Sequence, residues 1–207
     1  MGTTNAGMRD PLAILEAALK GGITCFQLRE KGNGALSGSE KKAFAKNCFS
    51  LCKEFDVPFI INDDVELALE IGADGIHVGQ TDAAADLVRP LVGQDKILGV
   101  SVASLEEAQI AMEASADYVG MGPVYQTVSK EDARKPAGTE AIRTVHRAFP
   151  ELPIVAIGGL TAANLEPAIL AGASGASVIS AIAGAENPFS AAAGVRHAAE
   201  NALYVRR

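Results

Sequence analysis

Short apolar runs alternate with longer amphipathic segments along the chain, and the clearest example lies between Asp56 and Asp82. Val57-Pro58-Phe59-Ile60-Ile61 is short and β-rich enough for a buried strand, and it stops on Asn62-Asp63-Asp64. A helix is predicted over Val65–Ile71, with Val65, Leu67, Ala68, Leu69 and Ile71 as its apolar positions and Gly72 as its stop. Gly75-Ile76-His77-Val78 makes a second strand, which stops on Gly79-Gln80-Thr81-Asp82. Polar residues therefore gather just after two successive strands, the place where parallel α/β proteins bind ligands.

The same alternation continues on both sides. Further strands are predicted over residues 23–28, 96–101, 117–120, 152–157 and 175–179. Helices are predicted over 12–20, 39–55, 83–92, 140–148, 164–171 and 188–203, with one more capped by Ser104 and its partner Glu107. An internal repeat underlies the pattern. Gly21-Gly22-Ile23, Gly72-Ala73-Asp74, Ser115-Ala116-Asp117 and Gly172-Ala173-Ser174 each end a helix and start a strand, at spacings of 51, 43 and 57 residues. Each interval holds about two βα units. Seven strands, each followed by a helix, predict a (β/α)8 TIM barrel as one domain over residues 1–207. Its first strand is missing or abbreviated at the N-terminus, ahead of Met1-Gly2-Thr3-Thr4-Asn5.

Composition narrows the function. The 18 basic and 25 acidic residues leave a net charge of −7, and no long basic run is present, which argues against nucleic acid or an anionic membrane as partner. Residues 167–185 form the longest uncharged run, but Gly172 and Gly175 divide it into a helix end and a strand, so a membrane span is rejected. Cys25, Cys48 and Cys52 show no closely spaced metal motif, and Cys48 and Cys52 lie one helical turn apart, as on a core face. With no signal peptide, the chain reads as cytoplasmic, its thiols reduced. His77 lies inside a strand as core or pocket wall, while His146 and His197 sit among charges on helices. No Ser-His-Asp order and no Cys-His pairing supports hydrolysis through a nucleophile.

The informative polar residues follow strands: Gln27, Arg29 and Lys31; Asn62 and Asp63; Asp82; Ser101; Thr127, Ser129 and Lys130; Gly158-Gly159; Ser180. Cations, carboxylates, hydroxyls and glycines on one rim describe a pocket for an anion and a metal. Asp63 and Asp82 suit a hard cation such as Mg²⁺, although Asp63 or Asp64 could simply cap the next helix. Ile157-Gly158-Gly159 and Val178-Ile179-Ser180 match the phosphate site that barrels build from their last two strand ends.

Taken together these motifs resemble the thiamine phosphate synthase family over essentially the whole chain. Gln27-Leu28-Arg29-Glu30-Lys31, Asn62-Asp63, Gly79-Gln80-Thr81-Asp82, Gly99-Val100-Ser101 and Gly122-Pro123-Val124-Tyr125 stand in family order. Thr127-Val128-Ser129-Lys130, Pro136-x-Gly138, Ile157-Gly158-Gly159 and Val178-Ile179-Ser180 complete the set. Two positions depart from it: Ser129 stands where the family has Thr, and Ala103 where relatives have His. The resemblance implies an enzyme that joins hydroxymethylpyrimidine pyrophosphate to hydroxyethylthiazole phosphate and releases pyrophosphate. It implies Mg²⁺ on Asp63 and Asp82, and catalytic roles for Arg29, Lys31, Ser101 and Lys130. Gln27, Leu28, Arg29, Glu30, Lys31, Asn62, Ser101 and Lys130 would bind the pyrimidine substrate. Thr127, Val128, Ser129, Gly159, Ile179 and Ser180 would bind the thiazole phosphate. Association into a homo-oligomer stays open. The alternatives are a thiazole tautomerase-like isomerase, which needs a His where Ala103 stands, and a non-catalytic phosphate-ligand binder, which has no use for two carboxylates.

The Ser129 departure keeps the hydroxyl that donates to phosphate and drops a methyl group. Ser129→Ala should raise the KM for the thiazole phosphate by about one to two powers of ten, since a hydrogen bond to a charged group contributes ~1.5–3 kcal/mol. Ser129→Thr should change it by no more than about three-fold. Steady-state kinetics with each substrate varied in turn separates the two, and an unchanged KM in Ser129→Ala would move the second substrate away from this loop.

Overall fold

The helix endings of the sequence repeat set the architecture. The computed structural model describes residues 1–80, 82–127 and 135–206. In it, Gly22, Gly72, Ser115 and Gly172 pass from helix to strand through left-handed backbone, with φ of 89°, 69°, 58° and 126°. The N–H of the next residue then reaches back to a helical carbonyl: Ile23 to Ala18 (3.3 Å), Ala73 to Ala68 (2.9 Å), Ala116 to Ala111 (3.0 Å) and Ala173 to Ala168 (3.1 Å). This bond satisfies a carbonyl that the helix end leaves open, and it folds the chain back along its own helix. At three of the four turns the following N–H already pairs with the neighbouring strand, from Asp74 to Phe59 (3.0 Å), Asp117 to Leu98 (2.8 Å) and Ser174 to Ile154 (2.7 Å). The Asp74 and Asp117 carboxylates add a second tie, accepting the Phe59 and Leu98 N–H groups at 2.8 and 2.7 Å. Ser115 has no glycine's freedom, and there Arg89 donates to its carbonyl from Nε (3.1 Å) and Nη2 (2.7 Å).

Strands β1 (Phe26–Leu28), β2 (Phe59–Asn62), β3 (Gly75–Val78), β4 (Ile97–Val102), β5 (Tyr118–Met121), β6 (Ile154–Ile157) and β7 (Gly175–Ser177) form one parallel sheet in chain order. Helices α1 (Pro11–Lys20), α2 (Gly38–Glu54), α3 (Val65–Ile71), α4 (Ala85–Val92), α5 (Leu105–Glu113), α6 (Glu140–Ala148), α7 (Glu166–Leu170), α8 (Ser180–Ala183) and α9 (Pro188–Arg206) accompany it. The sequence pattern anticipates these elements except the short α8. The fold is the predicted barrel lacking its first strand. Beside the upper end of β1, Met1 stands in for a parallel neighbour. Its ammonium group donates to the Gln27 carbonyl (2.8 Å), and its carbonyl accepts the Arg29 N–H (3.1 Å). The helical layer closes where the sheet does not, because α1 packs on both α2 and α9, and α9 on α7 and α8.

Alternation along the strands divides the side chains between two faces. Phe59, Ile61, Ile76, Leu98, Val119 and Ile154 face the helices and are buried in one continuous core that runs from Leu15 to Ala202. Gln27, Asn62, His77, Ser101, Tyr118 and Ile157 face inward, toward a cavity. Cys48 and Cys52 lie buried on the core face of α2, where burial pushes both thiols up to about 12. No helix among the described residues is long and apolar enough to cross a membrane.

The turns make a graded prediction. A Cβ on Gly72 meets nothing within 4 Å, whereas one on Gly172 would lie 2.4 Å from the His146 ring. Gly72→Ala should cost about 1 kcal/mol from left-handed strain alone. Gly172→Ala should cost roughly 2–3 kcal/mol, strain and overpacking together. Urea unfolding measures both, and equal losses would remove the steric part of the explanation.

Candidate functional site

The inward faces of the strands enclose a cavity of about 880 Å³, open at the strands' C-terminal ends. Its lower part descends between β1 and β7 to apolar residues of α1 and α9, among them Leu15, Ala18, Val195 and Ala199. Its upper part is polar. Gln27, Arg29, Lys31, Asn62, Asp63, Asp82, Ser101, Thr127, Gly159, Ile179 and Ser180 all line it, so residues far apart in sequence meet on one rim.

Asp63 follows the last residue of β2 in left-handed backbone, with φ of 65°, a conformation that Asp tolerates better than most residues. Its N–H donates to the His77 carbonyl of β3 (2.8 Å), which fixes the direction of the side chain, and Asn62 Nδ2 donates to its Oδ2 at 2.6 Å. Asp82 folds back over its own turn and accepts the Gly79 N–H at 2.9 Å. Lys31 arrives from the loop after β1, pairing with Asp63 and, at 3.4 Å, with Asp82.

The two carboxyl groups also act on each other electrostatically. Burial raises the Asp63 carboxyl above the usual carboxylate range, and Asp82 adds to the rise against the pull of Lys31. Asp82 is buried less. Burial pushes it up as well, but Asp63, the Gly79 hydrogen bond and the Lys31 charge together hold it below that range. Lys31 is raised: burial alone would lower it, and Asp63, then Asp82, reverse the sign. Among the described residues no cluster of three or more His, Cys, Asp and Glu side chains could hold a metal. Two adjacent carboxylates remain, which is the protein share expected for an ion that takes its other oxygens from water and phosphate.

Across the rim, β6 runs into Gly158-Gly159, and Asn164 Nδ2 braces the Gly159 carbonyl at 3.0 Å. After β7, Ile179 leads into α8, which Ser180 opens. The two strand ends expected to form a phosphate site therefore border the same cavity. Val128, Ser129 and Lys130 lie outside the described residues. Two residues expected to bind substrate are not on the cavity wall. Leu28 is 2% exposed, sent toward the helices by strand alternation. Glu30 is occupied by the Thr3 N–H, the Thr3 hydroxyl (2.9 Å) and the Leu36 N–H (2.9 Å). The sequence pattern left His77 undecided and gave Tyr118 no role, yet both line the cavity. The signal for them was a pair of strand glycines, Gly99 on the strand between the two rings and Gly120 two residues beyond Tyr118, whose missing side chains leave the rings their space.

Comparison with known proteins follows the same lines. Residues 2–182 match the TMP-TENI family, described as thiamine monophosphate synthase. The chain is 54% identical over 198 residues to a thiamine-phosphate synthase of Geobacillus kaustophilus (strain HTA426), covering 96% of this chain and 89% of that protein. It is 53% identical over 192 residues to a thiamine-phosphate synthase of Bacillus licheniformis, covering 93% and 85%. Among solved structures it resembles a thiamine phosphate pyrophosphorylase from Pyrococcus furiosus, with a TM-score of 0.85, 34% identity, and coverage of 95% and 92%.

Asp63 combines strained backbone with a carboxylate that is costly to ionise. Asp63→Asn keeps a residue tolerant of left-handed backbone and removes the charge. Because the folded-state pKa is raised, the wild-type loses stability as pH climbs through the carboxylate range, and the Asn variant does not. The variant should therefore melt at a higher temperature than the wild type near pH 8. The gain should shrink toward pH 4, where Asp63 holds its proton. Calorimetric scans across that interval test it, and a gain that grows on acidification would reverse the assigned direction.

Proposed function

The chain belongs to the thiamine monophosphate synthase family, and on that premise we propose that it joins hydroxymethylpyrimidine pyrophosphate to hydroxyethylthiazole phosphate with release of pyrophosphate. It is a transferase of thiamine biosynthesis. The observation that supports these substrates is the polarity of the cavity. Cations and paired carboxylates occupy one side, and hydroxyl-bearing strand ends with a Gly-Gly turn occupy the other. One side suits a pyrophosphate with its metal, the other a monophosphate. Three free thiols, Cys25, Cys48 and Cys52, accord with a cytoplasmic setting.

Asp63 and Asp82 fit Mg²⁺ as a pair of hard oxygen donors on one side of the cavity, with Lys31 beside both. Bound there, the ion would offset charge on the pyrophosphate leaving group. Arg29, Lys31 and Lys130 act on the same charge, and Asn62 holds a pyrophosphate oxygen. Gln27 and Ser101 orient the pyrimidine, while Leu28 and Glu30 keep the backbone of Arg29 and Lys31 in place. Thr127, Val128, Ser129, Gly159, Ile179 and Ser180 take the thiazole phosphate.

In the reaction, the bond between the pyrimidine methylene carbon and the pyrophosphate oxygen breaks, and its electron pair leaves with the oxygen. The lone pair of the thiazole nitrogen then fills the empty orbital on that carbon. No proton moves in either step, so the site needs no general base. What accelerates it is the stabilisation of departing charge and the alignment of the second substrate.

The protein with both substrates and Mg²⁺ should form thiamine phosphate, and chelation should stop it. Asp82→Ala and Asp63→Ala should each lower turnover by ~10²-fold or more, since several kcal/mol of leaving-group stabilisation is withdrawn. Full activity of either variant in the presence of chelator would overturn the metal assignment, and absence of product in the wild type would overturn the reaction.

A further inference from the structure

The proposed reaction leaves two rings on the cavity wall without a task. His77, on β3, is 6% exposed, and Tyr118 stands on β5. Strand β4 runs between them, and its Gly99 is in register with both. A Cβ on Gly99 would lie 2.2 Å from Tyr118 Cζ, so the phenol ring occupies the space that any side chain at this position would take. Lying across β4 in this way, the Tyr118 hydroxyl reaches His77 Nδ1 at 2.9 Å. His77 Nε2 in turn lies 2.8 Å from Ser101 Oγ. Gly120, in register with Ser101, clears the other ring, since a Cβ there would come within 3.1 Å of His77 Cε1. Gln27, on β1, lines the same cavity and bears on the Tyr118 hydroxyl, while burial raises the phenol's pKa, so the hydroxyl keeps its proton.

We propose that His77 and Tyr118 are a positioning pair that sets which hydrogen-bonding face Ser101, and with it Gln27, presents to the pyrimidine substrate. The proposal rests on the synthase reaction described above. A neutral imidazole carries one proton and the phenol one, so the row has two consistent arrangements. In the first, Tyr118 donates to Nδ1, and Nε2–H donates to Ser101 Oγ. The Ser101 hydrogen is then free for the substrate, and the Tyr118 oxygen accepts from the Gln27 amide, leaving the Gln27 carbonyl oxygen open. In the second, every bond reverses: Ser101 spends its hydrogen on Nε2, and Tyr118 donates to the Gln27 carbonyl oxygen. The two ends therefore switch together. Pyrimidine ring nitrogens only accept hydrogen bonds, so the first arrangement, which frees the Ser101 hydroxyl hydrogen, is the one that binds the ring.

Tyr118→Phe tests this, because it keeps the ring over Gly99 and removes only the hydroxyl. The KM for hydroxymethylpyrimidine pyrophosphate should rise by about two- to ten-fold, the value of one hydrogen bond, with the thiazole phosphate KM unchanged within about two-fold. His77→Phe, which leaves a ring in the cleared space but breaks both bonds, should show the same split. Combining Tyr118→Phe with Ser101→Ala should raise the pyrimidine KM by less than the product of the single effects, since Tyr118 acts through Ser101. An unchanged pyrimidine KM, an equal rise in both KM values, or fully multiplicative effects would overturn the pair's role. Should the wild type form no thiamine phosphate, the reaction itself falls, and the pair is judged by calorimetric titration with free hydroxymethylpyrimidine. Weaker binding to Tyr118→Phe than to wild type would uphold it; equal binding, or none to wild type, would overturn it.

Discussion

A single residue in left-handed backbone between helix and strand is the constraint on which the rest of this molecule depends. It recurs at Gly22, Gly72, Ser115 and Gly172 among other places, and at each of these four the following N–H returns to a carbonyl of the helix just ended. The return fixes where the strand begins and which way it runs. Parallel strands that start from one end of a sheet finish at the other, so the residues after each strand reach one rim with no further instruction. The convergence of Lys31, Asp63, Asp82 and Ser180 on one cavity is thus a product of helix endings at the opposite end of the barrel. Glycine fills three of these four places because left-handed backbone costs a side-chain-bearing residue roughly 1–2 kcal/mol. Ser115 fills the fourth with Arg89 held against its carbonyl.

At the rim the molecule concentrates what is unfavourable elsewhere. Asp63 has left-handed backbone, is partly buried, and faces a second carboxylate. Lys31 offsets part of this by pairing with both acids. Such strain persists only where surrounding structure holds it, here through the His77 carbonyl and the Asn62 amide.

The strand-and-helix pattern was legible because each strand is a short apolar run stopped by polar residues, and each helix carries its own stop signal. The repeat at Gly72 and Gly172 betrayed itself through residue type alone. The rim was legible because position after a strand is enough to place Asp63, Asp82 or Ser180. Legibility failed where orientation decides. Leu28 and Glu30 sit in the same run as Gln27, Arg29 and Lys31, but strand alternation sends Leu28 to the helices and the Thr3 and Leu36 donors occupy Glu30. His77 and Tyr118 were opaque for a similar reason. Their meeting spans a whole strand and depends on the missing side chain of Gly99, which a linear pattern does not display.

Glu30 has one more bearing on the molecule. Its carboxylate ties the loop between Arg29 and Lys31 to Thr3 on one side and Leu36 on the other. The two cations therefore sit on backbone that is ordered before any anion arrives. Freezing a residue of mobile loop costs about 1–2 kcal/mol in conformational entropy, a charge that would otherwise be deducted from substrate affinity. A carboxylate set back from the cavity wall would thereby govern how much of the attraction between cation and phosphate survives as binding.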